Sequence, residues 1–475
     1  MKRRRILTDE FITQPLPEQP ALSPDGSQIV YVLRTVNREE DRDERSLWVV
    51  PAAGGRARRL TQGTADTAPA WSPDGTRIAF LRVHEGHAQL FVLPIAGGEP
   101  EQVTRQPLGA GPPVWSPGSG RVAFTGPVDR SALPGDGSAE SMRRRTAPLV
   151  AERLGYKLDG SGHFGTIRTH VHVVDLAKHT TVQLTRGDWF ASAPVWSPDG
   201  KQIAFGTGMQ DDRDLTLASA VYLVAADDPR VAPRLLSPLA GQLSAVAWTP
   251  DGRYVVGVGR TDTEIGNAGV ILLPIDGSAA TNLTESLDRN VMPGGPGYPG
   301  ALPQFADGGS ELLFCARDNG YTHLYAADPA GAGLRPLITG ASNVSGLSVS
   351  GLRAAAIVAT PTSFNEVALL DVGSGALTVL TDYTPQDSGI VAAEQRSFTI
   401  SDGTVVHGWL RRDPTLTGPM PLLLDVHGGP HNAWNGAAEP THAYHHELVD
   451  RGWAVLTLNP RGSDGYGEEF MRAVI

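Results

Sequence analysis

Trp71-Ser-Pro-Asp-Gly75 recurs as Trp196-Ser-Pro-Asp-Gly200 and Trp248-Thr-Pro-Asp-Gly252, and this repetition limits the possible fold more than any other feature of the chain. Looser copies stand at Leu22-Ser-Pro-Asp-Gly26, Trp115-Ser-Pro-Gly118 and Phe305-Ala-Asp-Gly308, and a degenerate one at Leu347-Ser-Val-Ser-Gly351. Each copy leads into a short apolar run such as Arg77-Ile-Ala-Phe-Leu81 or Gln202-Ile-Ala-Phe205, and a second run follows. Each unit then closes on a Leu-Thr type signature: Leu60-Thr61, Val103-Thr104, Leu184-Thr185, Leu236-Ser237, Leu283-Thr284, Ile338-Thr339 and Leu380-Thr381. Openings and closings, counted separately, both number seven. In the opening motif Pro fixes φ, Asp caps the turn and Gly takes positive φ without strain. Short β-branched and aromatic runs between such turns read as strands. A period of about 45–50 residues with several strands per unit is the pattern of propeller blades. One blade cannot bury both faces, so the units must close into a ring. The fold class expected is therefore an all-β, seven-bladed β-propeller over residues 21–390, preceded by an N-terminal segment, 1–20.

The interval from Trp115 to Trp196 is longer than the others. The excess, roughly 126–168, reads as an insertion on one face of the ring, either a recognition element or a passive surface loop. Composition narrows the partners. The 475 residues carry a formal charge of -11, which argues against nucleic acid, since that needs a basic footprint. The one basic run, Arg143-Arg-Arg145, reads as a solvated loop. The single cysteine, Cys315, lies in an apolar run and reads as a buried strand residue with no disulfide partner. No stretch approaches about 18 apolar residues, so no membrane is expected. The basic start Met1-Lys-Arg-Arg-Arg5 has no apolar stretch after it, so a cytoplasmic location is expected.

The blade pattern stops near residue 390. Arg396 to Leu410 reads as a hairpin around Ser401-Asp-Gly403, and Pro421-Leu-Leu-Leu-Asp-Val-His-Gly-Gly-Pro430 as a strand buried on both faces that ends at two glycines. A helix within Glu439–Arg451, a strand in Trp453–Pro460, the glycine-rich Arg461-Gly-Ser-Asp-Gly-Tyr-Gly467 and a further helix from Glu468 follow. Strand, helix, strand with a glycine-rich loop begins a doubly wound sheet. Residues 391–475 are expected to be the N-terminal part only of such a domain, and their motifs resemble those of an incomplete α/β-hydrolase (peptidase) domain.

With these motifs in this order, the chain resembles the prolyl oligopeptidase family of serine peptidases, most closely its acylaminoacyl-peptidase-like branch. The resemblance rests on the Trp-Ser-Pro-Asp-Gly repeats, Ala151-Glu-Arg-Leu-Gly-Tyr-Lys-Leu-Asp-Gly160, Ser401-Asp-Gly-Thr-Val-Val-His-Gly-Trp409, Asp425-Val-His-Gly-Gly-Pro430 and Asn459-Pro-Arg-Gly-Ser-Asp-Gly-Tyr-Gly467. It implies a parent serine peptidase acting on short peptides, with the propeller restricting entry, and no cofactor. A nucleophile elbow, Gly-x-Ser-x-Gly, is not found: Ser310, Ser342 and Ser348 have glycine two before but not two after. The expectation is a fragment cut before its catalytic serine, without the Ser-Asp-His triad and inactive alone. What the resemblance leaves to this chain is the oxyanion-hole loop His427, Gly428 and Gly429, with the N–H of Gly429 or Gly428 as donor. His427 is read as shaping the loop and Arg461 as an ion-pair partner. His442 and His446 lie four apart, but Glu447 follows them, so no metal is expected. The alternative is a non-catalytic propeller scaffold that binds protein. A homo-oligomer is left open.

Overall fold

The Trp-Ser-Pro-Asp-Gly turn shows how the repeat builds itself. Ser72 donates to Asp74 (2.6 Å), Asp74 accepts from the Thr76 amide (3.0 Å), and Ser72 Oγ accepts from the Arg77 amide (3.0 Å). Gly75 closes the turn at φ 70°, and Gly26, Gly200 and Gly252 do the same at 69°, 66° and 70°. The tryptophan before each turn then reaches backwards. The indole N–H of Trp71 donates to the Ala21 carbonyl (3.0 Å), Trp115 to Ala70 (2.9 Å), Trp196 to Val114 (3.0 Å) and Trp248 to Val195 (3.2 Å). Each ring both fills space and bonds its unit to the preceding one. The closing hydroxyls act within a unit: Thr61, Thr104, Thr185, Ser237, Thr284 and Thr381 accept from the amides of Leu47, Leu90, Val171, Val221, Val270 and Val367 at 2.9–3.1 Å.

The structure is a computed structural model that describes residues 8–130, 148, 150–151, 153–159, 162–262, 265–295, 298–331, 333–385 and 388–475. Met1–Arg5, the basic run Arg143-Arg-Arg145 and part of the insertion lie outside them. The chain is nearly all β, a β-propeller joined to a hydrolase-type sheet. Sheet I is Leu16–Leu22, Gln28–Asn37, Arg42–Pro51 and Arg58–Arg59, antiparallel in chain order. Sheets II to VI repeat it, with outermost first and last strand residues 66–102, 114–183, 195–235, 242–282 and 304–338. Sheet VII holds Asn343–Ser350, Arg353–Thr360, Ser363–Asp371 and Leu377–Val379, extended by Pro293–Gly295 and Tyr298–Gly300. The first strand of sheet I straddles the 20/21 division expected from the sequence.

The core lies between sheets. Val30, Val32 and Leu47 of sheet I pack on Ile78, Phe80 and Phe91 of sheet II. A cluster of the same kind sits between each later pair. Cys315 is fully buried in one of them, and burial pushes its thiol up to about 12. Leu22, Ile29 and Tyr31 meet Ala355, Ile357 and Val367, so sheet VII returns to sheet I. That closure exchanges no strand. Hydrogen bonds assist it, among them Leu22 N–H to Ser348 (2.8 Å), Ser350 to the Pro24 carbonyl (2.6 Å), Arg353 to the Gly26 carbonyl (3.1 Å) and Asn365 to the Pro17 carbonyl (3.3 Å).

Beyond the ring, Glu394–Thr399 and Val405–Arg411 form the expected hairpin. Val405–Arg411 pairs antiparallel with Ala454–Asn459, which pairs parallel with Leu422–Val426. Helices run over Ala443–Asp450 and Glu468–Arg472. One expectation is corrected. Leu422–Val426 is not buried on both faces: it is an edge strand, with Leu422, Leu424 and Val426 each about half exposed. Within this chain it has one neighbouring strand and one covered face, and its alternate residues show that directly.

Candidate active-site loop

The loop after Leu422–Val426 is held from two sides, and its two glycines differ. A Cβ on Gly428 would meet nothing within 4 Å, whereas one on Gly429, at φ 145°, would lie 2.9 Å from the His431 nitrogen. Gly429 is therefore required by the backbone, and Gly428 by nothing in the protein itself. Both are exposed, and among the described residues neither backbone N–H has a hydrogen-bond acceptor. Two unpaired N–H groups at a strand end, open to solvent, can receive an oxyanion.

His427 does not point into that opening. Its Nδ1 lies 2.9 Å from the Gly428 carbonyl and its Nε2 2.8 Å from Ser463 Oγ. Burial, then the charge of Arg317, lowers its pKa and keeps the ring neutral. The loop's own carbonyl holds Nδ1 and the Ser463 hydroxyl holds Nε2. That hydroxyl also faces the Pro460 carbonyl at 2.7 Å. Ser463 has no exposed surface, so this serine–histidine contact ties two strand ends together and offers no nucleophile to a substrate. His431 Nδ1 meets the Gly462 carbonyl at 2.9 Å and adds a second tie.

The other hold comes from the propeller. Arg317, at the end of a sheet VI strand, donates to Asn432 Oδ1 (3.0 Å) and lies 3.5 Å from Asp464; both members of the ion pair are almost wholly buried. Asn290 donates to Asp464 (2.9 Å), and the Asp464 amide donates to the Asn432 carbonyl (3.0 Å). Burial raises the Asp464 pKa against the pull of Arg317, and burial lowers that of Arg317. Nearby, Tyr321 meets Trp409 edge to face at 5.9 Å, and Asn343 donates to Asn435 (3.0 Å). Sequence reasoning missed Arg317, Asn432 and Asp464. The one available signal was a charge ending the apolar run Leu312-Leu-Phe-Cys-Ala316.

The remaining candidates separate. Arg461 pairs with Asp402 at 2.5 Å near the surface, tying the hairpin turn to the strand end. His442 meets Glu439, while the ring of His446 lies tilted against Phe11 at 4.6 Å. Among the described residues no group of three or more His, Cys, Asp or Glu is placed to hold a metal ion. Asp425 accepts from Tyr444 (2.5 Å) and His445 (2.8 Å); burial opposes its ionisation, but these bonds outweigh it and hold the carboxyl below its usual range. No helix among the described residues is long and apolar enough to cross a membrane.

Comparison with known proteins agrees with this architecture. The TolB beta propeller domain family matches residues 12–132. The uncharacterized peptidase YuxL of Bacillus subtilis is 29% identical, covering 99% of this chain and 73% of its own length. The dipeptidyl-peptidase 5 of Porphyromonas endodontalis is 22% identical over 94% of this chain and 66% of its own. Both relatives carry peptidase names. Among solved structures, the acylaminoacyl peptidase of Pyrococcus horikoshii superposes with a TM-score of 0.77 at 19% identity, over 98% of this chain and 68% of that one, a likeness of fold. The chain thus spans about two thirds to three quarters of the length of these proteins.

Proposed function

We propose that the chain is the propeller, a ring of seven blades over residues 21–390, and the leading part of the hydrolase domain, 391–475, of a serine peptidase that hydrolyses short peptides. The observation that carries this reading is the pair of exposed, acceptor-free N–H groups of Gly428 and Gly429 at a strand end. In acyl transfer such donors stabilise the charge that develops on the scissile carbonyl oxygen, and one donor is worth about 2.7–4 kcal/mol of barrier. Peptidase names among the relatives support the substrate class. The 475 residues contain no Gly-x-Ser-x-Gly, so the nucleophile has to come from sequence beyond them and this chain by itself is inactive.

A chimera tests the reading. The region of the Bacillus subtilis relative that lies beyond the match is appended to residue 475, and hydrolysis of aminoacyl and dipeptidyl anilides is measured. The chain alone is expected to turn over nothing and to resist a serine-directed fluorophosphonate; the chimera is expected to be labelled and to hydrolyse. Gly429→Val in the chimera, whose Cβ would lie 2.9 Å from the His431 nitrogen and so force the loop and its N–H donors to shift, is expected to lower both kcat and the rate of labelling. A soluble, labelled chimera without peptidase activity, or hydrolysis by the 475-residue chain, would overturn it.

A further inference from the structure

Far round the ring from sheet VI, one carboxylate is shared by four arginines. Asp188 Oδ1 lies 2.6 Å from Arg130 and 2.8 Å from Arg168; Asp188 Oδ2 lies 3.0 Å from Arg153 and 2.7 Å from Arg213. The other carboxylate in the cluster is Asp214, 3.1 Å from Arg153. Among the described residues, four guanidinium groups are ion-paired with two carboxylates. Asp211 and Asp212 are exposed on the same loop and form no ion pair with these arginines. In a chain of formal charge -11 this is a local concentration of arginine.

The arginines do not share the work equally. Arg168 and Arg213 are 12% and 13% exposed and also donate to backbone carbonyls, Gly165 and Ile167 for the first and Gln210 for the second. Arg168 is further stacked over Phe190 at 5.0 Å. These two are the framework. Arg130 and Arg153 are 44% and 32% exposed, although Arg153, besides its two carboxylates, also donates to the Asp211 carbonyl (3.2 Å). Among the described residues the guanidinium of Arg130 meets Asp188, and its side chain is close to half exposed. Behind the rim, burial holds His170 to about 4, with Arg130 and Arg186 adding to the effect, so that ring carries no charge at neutral pH.

Topology fixes which end of the ring this is. In every sheet the turn joining the first two strands, Pro-Asp-Gly in sheets I, II, IV and V, lies at one end, and the hairpin joining the second and third strands lies at the other. The hydrolase segment sits on that second end: Asn319, in the sheet VI hairpin, donates to the Gly465 carbonyl, and Ala438 donates to Thr360 in the sheet VII hairpin. Arg130 and Arg153 follow Arg121–Asp129, and Arg168 begins the strand Ile167–Asp175. Arg213 lies between Gln202–Thr207 and Ala220–Ala225, the matching hairpin of sheet IV. Asp188 lies in the crossing from Thr180–Gln183 to Val195–Trp196. All five therefore share the end that carries Gly428 and Gly429.

We infer that Arg130 and Arg153 form a carboxylate-binding site on the hydrolase-facing rim, and that it takes an acidic side chain or the free C-terminus of a peptide. Guanidinium forks match carboxylates in pairs, and Asp188 already displays that match in place. The site rests on the peptidase reading for its ligand class, because it lies at the same end of the ring as Gly428 and Gly429.

Calorimetry on the 475-residue chain tests it with short peptides carrying glutamate or glutamine, each with a free or an amidated C-terminus; these arms separate the two sources of carboxylate. The expected result is at least fivefold tighter binding of a carboxylate-bearing peptide than of the neutral amide at low salt, shrinking at 0.5 M salt. Arg130→Gln and Arg153→Gln are each expected to remove most of the preference. Asp188→Asn, which removes the internal competitor, is expected to increase it. Near-ultraviolet circular dichroism reports whether each variant is folded, and because Arg130 is half exposed its variant provides the reading if Asp188→Asn does not fold. Equal binding of charged and neutral peptides, a preference unchanged in Arg130→Gln, or no binding of any peptide would overturn the site. Because catalysis plays no part in this measurement, such a failure leaves the peptidase reading to the chimera.

Discussion

The propeller and the sheet beyond residue 390 satisfy their backbones in opposite ways. Each propeller unit has an apolar neighbour on both sides, and the last returns to the first. The later sheet ends in an edge strand with Leu422 and Leu424 half exposed, and it is held to the ring by buried polar contacts and two small apolar clusters, one of Phe11 and Phe364 with Ala438 and Ala443, the other of Tyr321 and Ala359 with Trp409. Repetition gives the first region stability that is spread over many equivalent interfaces. The second concentrates its attachment at Arg317, Asp464 and Tyr321. One substitution should therefore matter far more at the join than on the open edge.

The strongest way to break that contrast is Arg317→Met. It leaves Asp464 buried beside Asn290 without its cation, at a cost of about 3–5 kcal/mol. Hydrogen exchange is expected to show residues 427–475 losing protection while sheets I to V keep theirs; uniform loss throughout would mean that the two regions unfold together. Next come paired truncations. Ile203→Ala, at a fully buried position between sheets, should cost about 2–5 kcal/mol in urea denaturation. Leu424→Ala on the edge strand, 53% exposed, should stay within about 0.5 kcal/mol. Equal costs would show that the edge is covered in solution.

The smallest effect is on pH dependence, and its sign differs between the regions. Bonds from Ser23, Ser72 and Thr249 hold Asp25, Asp74 and Asp251 at about 2, below the ordinary 3.8. Their contribution is present above the ordinary value and lost as pH falls through about 2. Burial raises Asp464, so its ionisation works against the folded join, and that join gains relative stability in acid as the group protonates. Between pH 5 and 2 the propeller's thermal midpoint should fall, while protection of residues 427–475 relative to the ring should rise. Asp74→Asn should flatten the first trend only, and parallel trends in both regions would contradict the assignment.

The repeat was legible because its chemistry is local. Serine, aspartate and glycine within five residues make a turn whatever surrounds them, and the closing hydroxyl lies a fixed 14 residues from the amide it caps in Thr61, Thr104 and Thr185. His427-Gly-Gly429 was legible for the same reason, since glycine at φ 145° is a demand of its own loop. The hairpin at Ser401-Asp-Gly403 belongs with these. What the sequence could not show was which distant groups meet.

By itself, then, the order of residues determined the turns, the period and the place where the period stops. Only the tertiary structure decided that Arg317 reaches Asn432, 115 residues on, and that Asn290 reaches Asp464, 174 residues on. It also decided that Asp188 gathers four arginines and that Leu422–Val426 is an edge. The physical reason is range. Dihedral preferences and short hydrogen bonds act between neighbours and leave a spacing that can be read, whereas a buried ion pair or an uncovered edge depends on how whole sheets come to rest against one another.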